Sequence, residues 1–116
     1  MAATRGAFWK VVMTRFPCPY LKGDVELTAE REEHIQGRHP DLLPKHRDCI
    51  RETLAGPDQV RMSARLASAH LFSRWFDTMG KNVVVVVISE ATGRHWVVTA
   101  YWARKLAPGV TEWKRN

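Results

Sequence analysis

The chain has 116 residues, 45% of them hydrophobic and 26% charged, with a formal net charge of +6. That is the profile of one ordinary globular domain, long enough to bury about two thirds of its unfolded surface without disulfide or metal staples. No apolar run approaches the roughly 20 residues of a membrane span, and the first residues carry no signal-peptide core, so a cytoplasmic protein is expected.

Residues 1–58 carry 9 Lys+Arg against 9 Asp+Glu, and residues 59–116 carry 9 against 3, so the whole excess lies in the second half. A field of that sign attracts polyanions and speeds their encounter, although the same charge also keeps a small protein in solution. Cys18 and Cys49 form no C-x-x-C pair, and two free, partly buried thiols are expected.

In chain order, residues 7–27 read as an N-terminal extended segment. Its Ala7–Phe16 part is either a strand or a flap laid over the sheet, ended by Pro17 and Pro19, which cannot donate to a ladder. Asp24–Leu27 is a short extended piece with Val25 and Leu27 on one side. Residues 28–55 read as two helices. Thr28 is the expected N-cap of the first, with Glu30, Glu32 and Glu33 suiting the positive end of the helix dipole. That helix is expected to run to Gln36, with Gly37 as its C′ residue and the chain out of helix by His39, before Pro40. The second is expected to start near Pro44 and to stop before Gly56 and Pro57, with Leu43, Cys49, Ile50 and Leu54 as its apolar stripe.

Residues 60–104 read as an antiparallel sheet, and residues 105–116 as a basic tail with Trp113 docking back. Val60–Met62 is a short strand, His70–Phe76 a longer one, and Asp77–Lys81 with Gly80 the turn into the run Asn82–Ile88. That valine run is too short for a typical helix and apolar on both faces, which marks a central strand covered above and below. A polar loop containing Gly93 makes a hairpin with the strand beginning at His95. Strict alternation sorts Trp96, Val98, Ala100 and Trp102 onto an oily side, and His95, Val97, Thr99 and Tyr101 onto the other. The expected fold is therefore α+β: two N-terminal helices packed on one face of an antiparallel meander of about four strands. Helices on the oily face leave His95, Thr99 and Tyr101 accessible.

The densest titratable cluster outside the strands is Arg31-Glu-Glu-His34-Ile-Gln-Gly-Arg38-His39. Histidine as a residue type titrates near neutrality and can take a proton from one oxygen and return one to another. Arginine binds phosphate bidentately and stays charged. Together these are the parts needed to cleave RNA without a metal: a base for the 2′-hydroxyl, an acid for the leaving oxygen, and cations for the phosphorane. Candidate acid and base are His34 and His39. Arg31, Arg38, Arg74 and His95 are candidate phosphate contacts, and Thr99 and Tyr101 candidate positioning hydroxyls. Each also has an ordinary structural use. A histidine near a helix end answers the dipole, a Thr or Tyr in a strand is a common β-former, and an arginine on a polar strand position is solvated surface. His46 and His70 have no supporting neighbours in sequence. The spacings fit no H-E-x-x-H or thiolate metal site, no Gly-rich phosphate loop and no G-x-S-x-G elbow, so no metal and no cofactor are expected.

Leu27-Thr28-x-x-Arg31, His34-Ile35-x-x-x-His39-Pro40, Pro57-Asp58-x-Val60, the valine strand and Thr99-Ala100-Tyr101 follow one another in a single order. In that combination the chain resembles the phage-associated branch of the barnase–EndoU–colicin–RelE-like (BECR) nuclease superfamily, over residues 25–104. The resemblance implies helices followed by a four-stranded antiparallel sheet, and metal-independent endoribonuclease activity of the kind used by toxins against transfer or messenger RNA. It implies catalytic or phosphate-contacting roles for His34, for Arg38 or His39, and for Thr99. It also implies RNA as partner and a neutralising antitoxin or immunity protein. A non-catalytic RNA- or protein-binding module of the same fold is the alternative, and an enzyme for another small phosphorylated or acidic substrate a third.

Overall fold

The valine run stands in the middle of the sheet, as its two apolar faces require. The computed structural model describes residues 13–66 and 68–116. The elements are β1 (Met13–Cys18), a 3₁₀ turn (Pro19–Leu21), β2 (Gly23–Thr28), α1 (Ala29–Arg38), α2 (Arg47–Ala55), β3 (Gln59–Met62), β4 (Ala69–Phe76), β5 (Lys81–Ser89), β6 (His95–Ala103) and β7 (Val110–Lys114). Across the sheet the order is β1-β2-β6-β5-β4-β3-β7. Neighbours are antiparallel except β2 and β6, which run parallel through Val25↔His95 and Glu26↔Trp96.

The expected fold class is corrected by this topology. The four-strand meander exists as β3-β4-β5-β6, but it is the middle of a seven-stranded mixed sheet. The strands outside it carry weak sequence signals for identifiable reasons. β1 contains Pro17, tolerated because β1 is an edge strand whose outer side needs no ladder donor. β7 is exposed at every residue, so no apolar alternation marks it. The parallel joint links distant segments and leaves no local pattern. The first part of the expected N-terminal strand or flap, residues 7–12, lies outside the described residues.

Both helices are shifted from their expected bounds. Thr28 does cap α1, its hydroxyl accepting from the Arg31 amide at 3.1 Å. The helix continues through Gly37 to Arg38, because the His39 amide still reaches the Ile35 carbonyl, 2.7 Å away. α2 starts at Arg47 rather than Pro44. Residues 40–46 form turns instead, held by His46 N–H to Leu42 C=O at 2.8 Å, because this stretch buries Leu42 and Leu43 completely. Packing two leucines decides its path over local helix signals.

One face of the sheet meets the helices. Its core is Phe16, Val25 and Leu27, then Phe72, Val83, Val85, Val87 and Ala100, under Ile35, Leu42, Ile50 and Leu54. α2 packs on β1, β4 and β5, and α1 on β2 and β6. The sheet curls around this core. Tyr20, in the 3₁₀ turn beside one edge, sits edge-on to Phe72 at 5.8 Å and 6.2 Å from Trp113 on the other edge.

β6 departs from strict alternation. Val86 pairs with Thr99, yet Val87 pairs with Val97, so Val98 is an extra residue, a β-bulge. Before the bulge Val97 faces the core; after it Ala100 does, with Trp102 packed against the core edge. The face assignment is corrected accordingly. Trp96 shares the outer side with Thr99 and Tyr101, and His95 shares the helix side with Val97.

Candidate nucleic-acid site

The joint between β2 and β6 is two residue pairs long. Beyond it β2 ends at Thr28 and α1 takes its place beside β6, so the sheet forks and a helix fills one arm. Ile35 anchors α1 in the core. Arg31, His34 and Arg38, at i, i+3 and i+7, share another helix face and turn toward the bulged half of β6. The resulting groove, of about 460 Å³, is lined by Arg31, His34, Arg38, His39, Val98, Thr99 and Tyr101. Six of the eight residues nominated from sequence are therefore together.

The residues after α1 fix His39 by gripping both sides of the end of β6. On the outer side the His39 and Tyr101 rings lie 5.8 Å apart, tilted by 37°. On the helix side His46 meets Trp102 edge-on at 5.5 Å, and the Trp102 indole N–H donates to the Asp41 carbonyl at 3.1 Å. His34 and Arg38 are exposed, while Arg31, His39, Thr99 and Tyr101 are half-buried. The lining holds two guanidinium groups, two imidazoles and no carboxylate. Among the described residues, neither Arg31 nor Arg38 makes an ion pair. A concave, partly dry surface with that balance suits an anion carrying several oxygens, which is to say a phosphate.

Two neighbouring hollows share Arg31. One, of about 580 Å³, follows the exposed side of α1 past Glu30, Glu33 and Gly37. The other, of about 280 Å³, lies at the fork among Glu26, Glu30, Glu90, Arg94 and Trp96. There Arg94 is already paired with Glu26 at 3.0 Å, and the Trp96 indole N–H donates to Glu90 at 3.1 Å. Of the carboxylates bordering the positive groove, Glu26 and Glu90 are thus engaged, whereas Glu30 and Glu33 make no ion pair among the described residues.

Two nominated residues fall outside the groove. Arg74, on the same side of β4 as Phe72, donates to the Gly56 carbonyl at 2.7 Å and lies over the Phe76 ring. With Arg115, which binds the same carbonyl at 2.7 Å, it ties down the turn after α2. His95 sits on the helix side, its Nδ1 2.7 Å from the Ser89 hydroxyl.

The structure also supplies neighbours that sequence did not offer. His70 Nδ1 is 2.8 Å from Glu112 Oε2, and the Tyr20 hydroxyl donates to Oε1 of the same carboxylate at 3.2 Å. Burial first, and then Glu112, push the Tyr20 phenol up from its usual value. Nothing near His70 in the chain announced this partner, 42 positions away on β7. Burial likewise pushes up the thiols of Cys18 and Cys49, both free.

Among the described residues no three His, Cys, Asp or Glu side chains are placed to hold a metal ion, and no helix is long and apolar enough to cross a membrane. The chain matches no protein-family model, no curated protein and no solved structure.

Proposed function

We propose that the chain is a small cytoplasmic endoribonuclease that cleaves RNA through the substrate's own 2′-hydroxyl, without a metal. The observation that supports this reading is the groove itself, where His34, His39, Arg31 and Arg38 converge on Thr99 and Tyr101. In the proposed reaction one imidazole takes the proton from O2′ as O2′ bonds to phosphorus. The P–O5′ bond breaks, the other imidazole, protonated, gives its proton to O5′, and a 2′,3′-cyclic phosphate remains. Arg31 and Arg38 hold the phosphorane charge, and Thr99 with Tyr101 orient its oxygens. Membership of the BECR nucleases belongs to the same proposal. It rests on the motif residues His34, Arg38, His39 and Thr99, and not on the fold expected from them. A neutralising partner, in this reading, presents carboxylates to the groove. Arg74 and His95 have no part in it.

The test incubates RNA with the protein in excess EDTA, beside an oligonucleotide deoxygenated at the scissile 2′ position. RNA is expected to be cut and the deoxy substrate to survive. His34→Ala and His39→Ala are each expected to slow cleavage about 10²–10⁴-fold. A requirement for metal, or cleavage without the 2′-hydroxyl, sinks the mechanism.

One observation favours a second reading, a module that binds RNA without cutting it. Neither imidazole receives an orienting hydrogen bond from the described residues, whereas a working base is normally held by a third group. In that case the two alanine variants keep both affinity and salt dependence, and the wild type leaves RNA intact.

A further inference from the structure

A second, unused cation lies on the outer side of the sheet. Arg61 of β3 is 4% exposed. Its Nη1 donates to the Ala107 carbonyl, its Nε has no hydrogen-bond partner, and no carboxylate pairs with it among the described residues. Arg47 also has an unpartnered Nε, but it has Glu32 at 3.0 Å as counter-charge. Arg61 has none.

The sheet register says which side Arg61 occupies. It stands opposite Leu71, whose row runs through Val86 to Thr99. The adjacent row runs from Ser73 through Val84 to Tyr101. Arg61 therefore shares its face with Thr99 and Tyr101, and burial draws its guanidinium down from the usual arginine range. In that adjacent row Ser73 is fully buried, and its Oγ too has no partner among the described residues. A buried guanidinium nitrogen and a buried hydroxyl, both unpaired and on one face, are groups to which an oxyanion can hydrogen-bond.

The lid over Arg61 is light. Residues 104–109 connect β6 to β7 without regular structure and are mostly exposed. A Cβ on Gly109 would come within 3.2 Å of the Met62 carbonyl and 3.8 Å of Arg61 Nη1, so this strap lies directly against the guanidinium.

We propose that Arg61 is a further phosphate-binding residue. When residues 104–109 lift, a backbone phosphate of a single-stranded polynucleotide replaces the Ala107 carbonyl on Arg61, with Ser73 Oγ beside it. The proposal rests on the groove being a polynucleotide site, because it extends that site along the same face through Tyr101.

The probe is a short single-stranded oligodeoxynucleotide, which binds but has no 2′-hydroxyl with which to be cut. Its Kd is measured against salt for the wild type, Arg61→Gln, Arg61→Lys and Arg31→Gln, and the carbonyl carbon of Ala107 is followed by NMR. Arg61→Gln is expected to flatten the log Kd–log salt slope by about 0.7, the share of one phosphate on a single strand, and Arg61→Lys to keep it. In the wild type, the Ala107 carbonyl resonance is expected to move when the oligonucleotide binds, because it gives up its bond to Arg61. An unchanged slope in folded Arg61→Gln, or an Ala107 resonance that stays in place, overturns the proposal. If Arg61→Gln does not fold, the resonance of the wild type decides alone. Should Arg31→Gln also leave the slope untouched, the groove reading has failed. A slope changed by Arg31→Gln but not by Arg61→Gln means that only the Arg61 assignment has.

Discussion

Tyr101 joins packing to chemistry in one side chain, and the two can be separated. Its ring lies against His39, and the residue lines the groove together with Thr99. Tyr101→Phe keeps the ring, so folding and oligonucleotide affinity are expected to hold. The cleavage rate is expected to fall about 10–100-fold, the worth of one hydrogen bond to a charged oxygen. Single-turnover kinetics beside a binding titration checks this. Cys18 gives a second prediction. Its thiol is held protonated by burial above the 9.0 of an exposed thiol, and the Tyr20 phenol is shifted the same way. A raised folded pKa contributes stability that is complete below the unfolded value and lost as pH climbs through the folded one. Thermal denaturation is therefore expected to show stability falling above about pH 9, and falling less steeply in Cys18→Ala. At this scale sequence was a good guide wherever a residue's partners are local, as with Thr28 capping its own helix. It gave no purchase on His70, whose carboxylate comes from another strand, or on Arg61, whose significance lies in the partners it lacks.

Among the elements, α1 carries the site, and its first turn positions Arg31. Thr28→Ala removes the cap and is expected to cost about 1 kcal/mol in urea unfolding. Oligonucleotide affinity is expected to weaken as well, since the Arg31 amide that Thr28 holds belongs to a lining residue. The end of α1 and the start of α2 were misread because both bounds are set by tertiary packing. Gly37 stays helical while His39 reaches back to Ile35, and Leu42 with Leu43 occupy the stretch where a helix start was expected. The bulge at Val98 was unreadable for a different reason. Val97 and Val98 are alike, so a slip of one residue leaves the apolar pattern of β6 intact while reversing every side chain on its N-terminal side. Thr99 and Tyr101 were placed on the correct side, and His95 and Trp96 on the wrong ones.

For the whole molecule, the curled sheet brings its two ends within reach of each other through Tyr20, Glu112 and His70. Glu112→Ala removes the acceptor shared by both partners and is expected to destabilise by about 1 kcal/mol. Because the cluster is not part of the groove, cleavage per folded molecule is expected to be unchanged, a pairing of results that denaturation and activity assays can read together. The meander β3-β4-β5-β6 was visible in sequence because each of its turns is local and its strands alternate or are wholly apolar. The three pairings outside it, β1 with β2, β2 with β6 and β3 with β7, were not, because β7 has no buried apolar face, Pro17 interrupts β1, and a parallel contact can join any two stretches of chain. The charge asymmetry pointed to the second half, yet the groove's arginines come from the balanced first half. What matters at the groove is which charges lack partners, and a running total cannot show that.

The parallel joint between β2 and β6 has a bearing on the order in which the protein assembles. The strands from Ala69 to Ala103 can zip up from neighbouring turns, whereas Val25 meets His95 only after a long intervening stretch has been drawn in. Distant closures of that sort come slowly and after the short-range ones. The helix bearing Arg31 and His34 can settle against Thr99 only once that closure is made. A newly made chain would thus possess most of its sheet before it possessed any cleft, so whatever the cleft binds must wait until the distant halves of the chain have met.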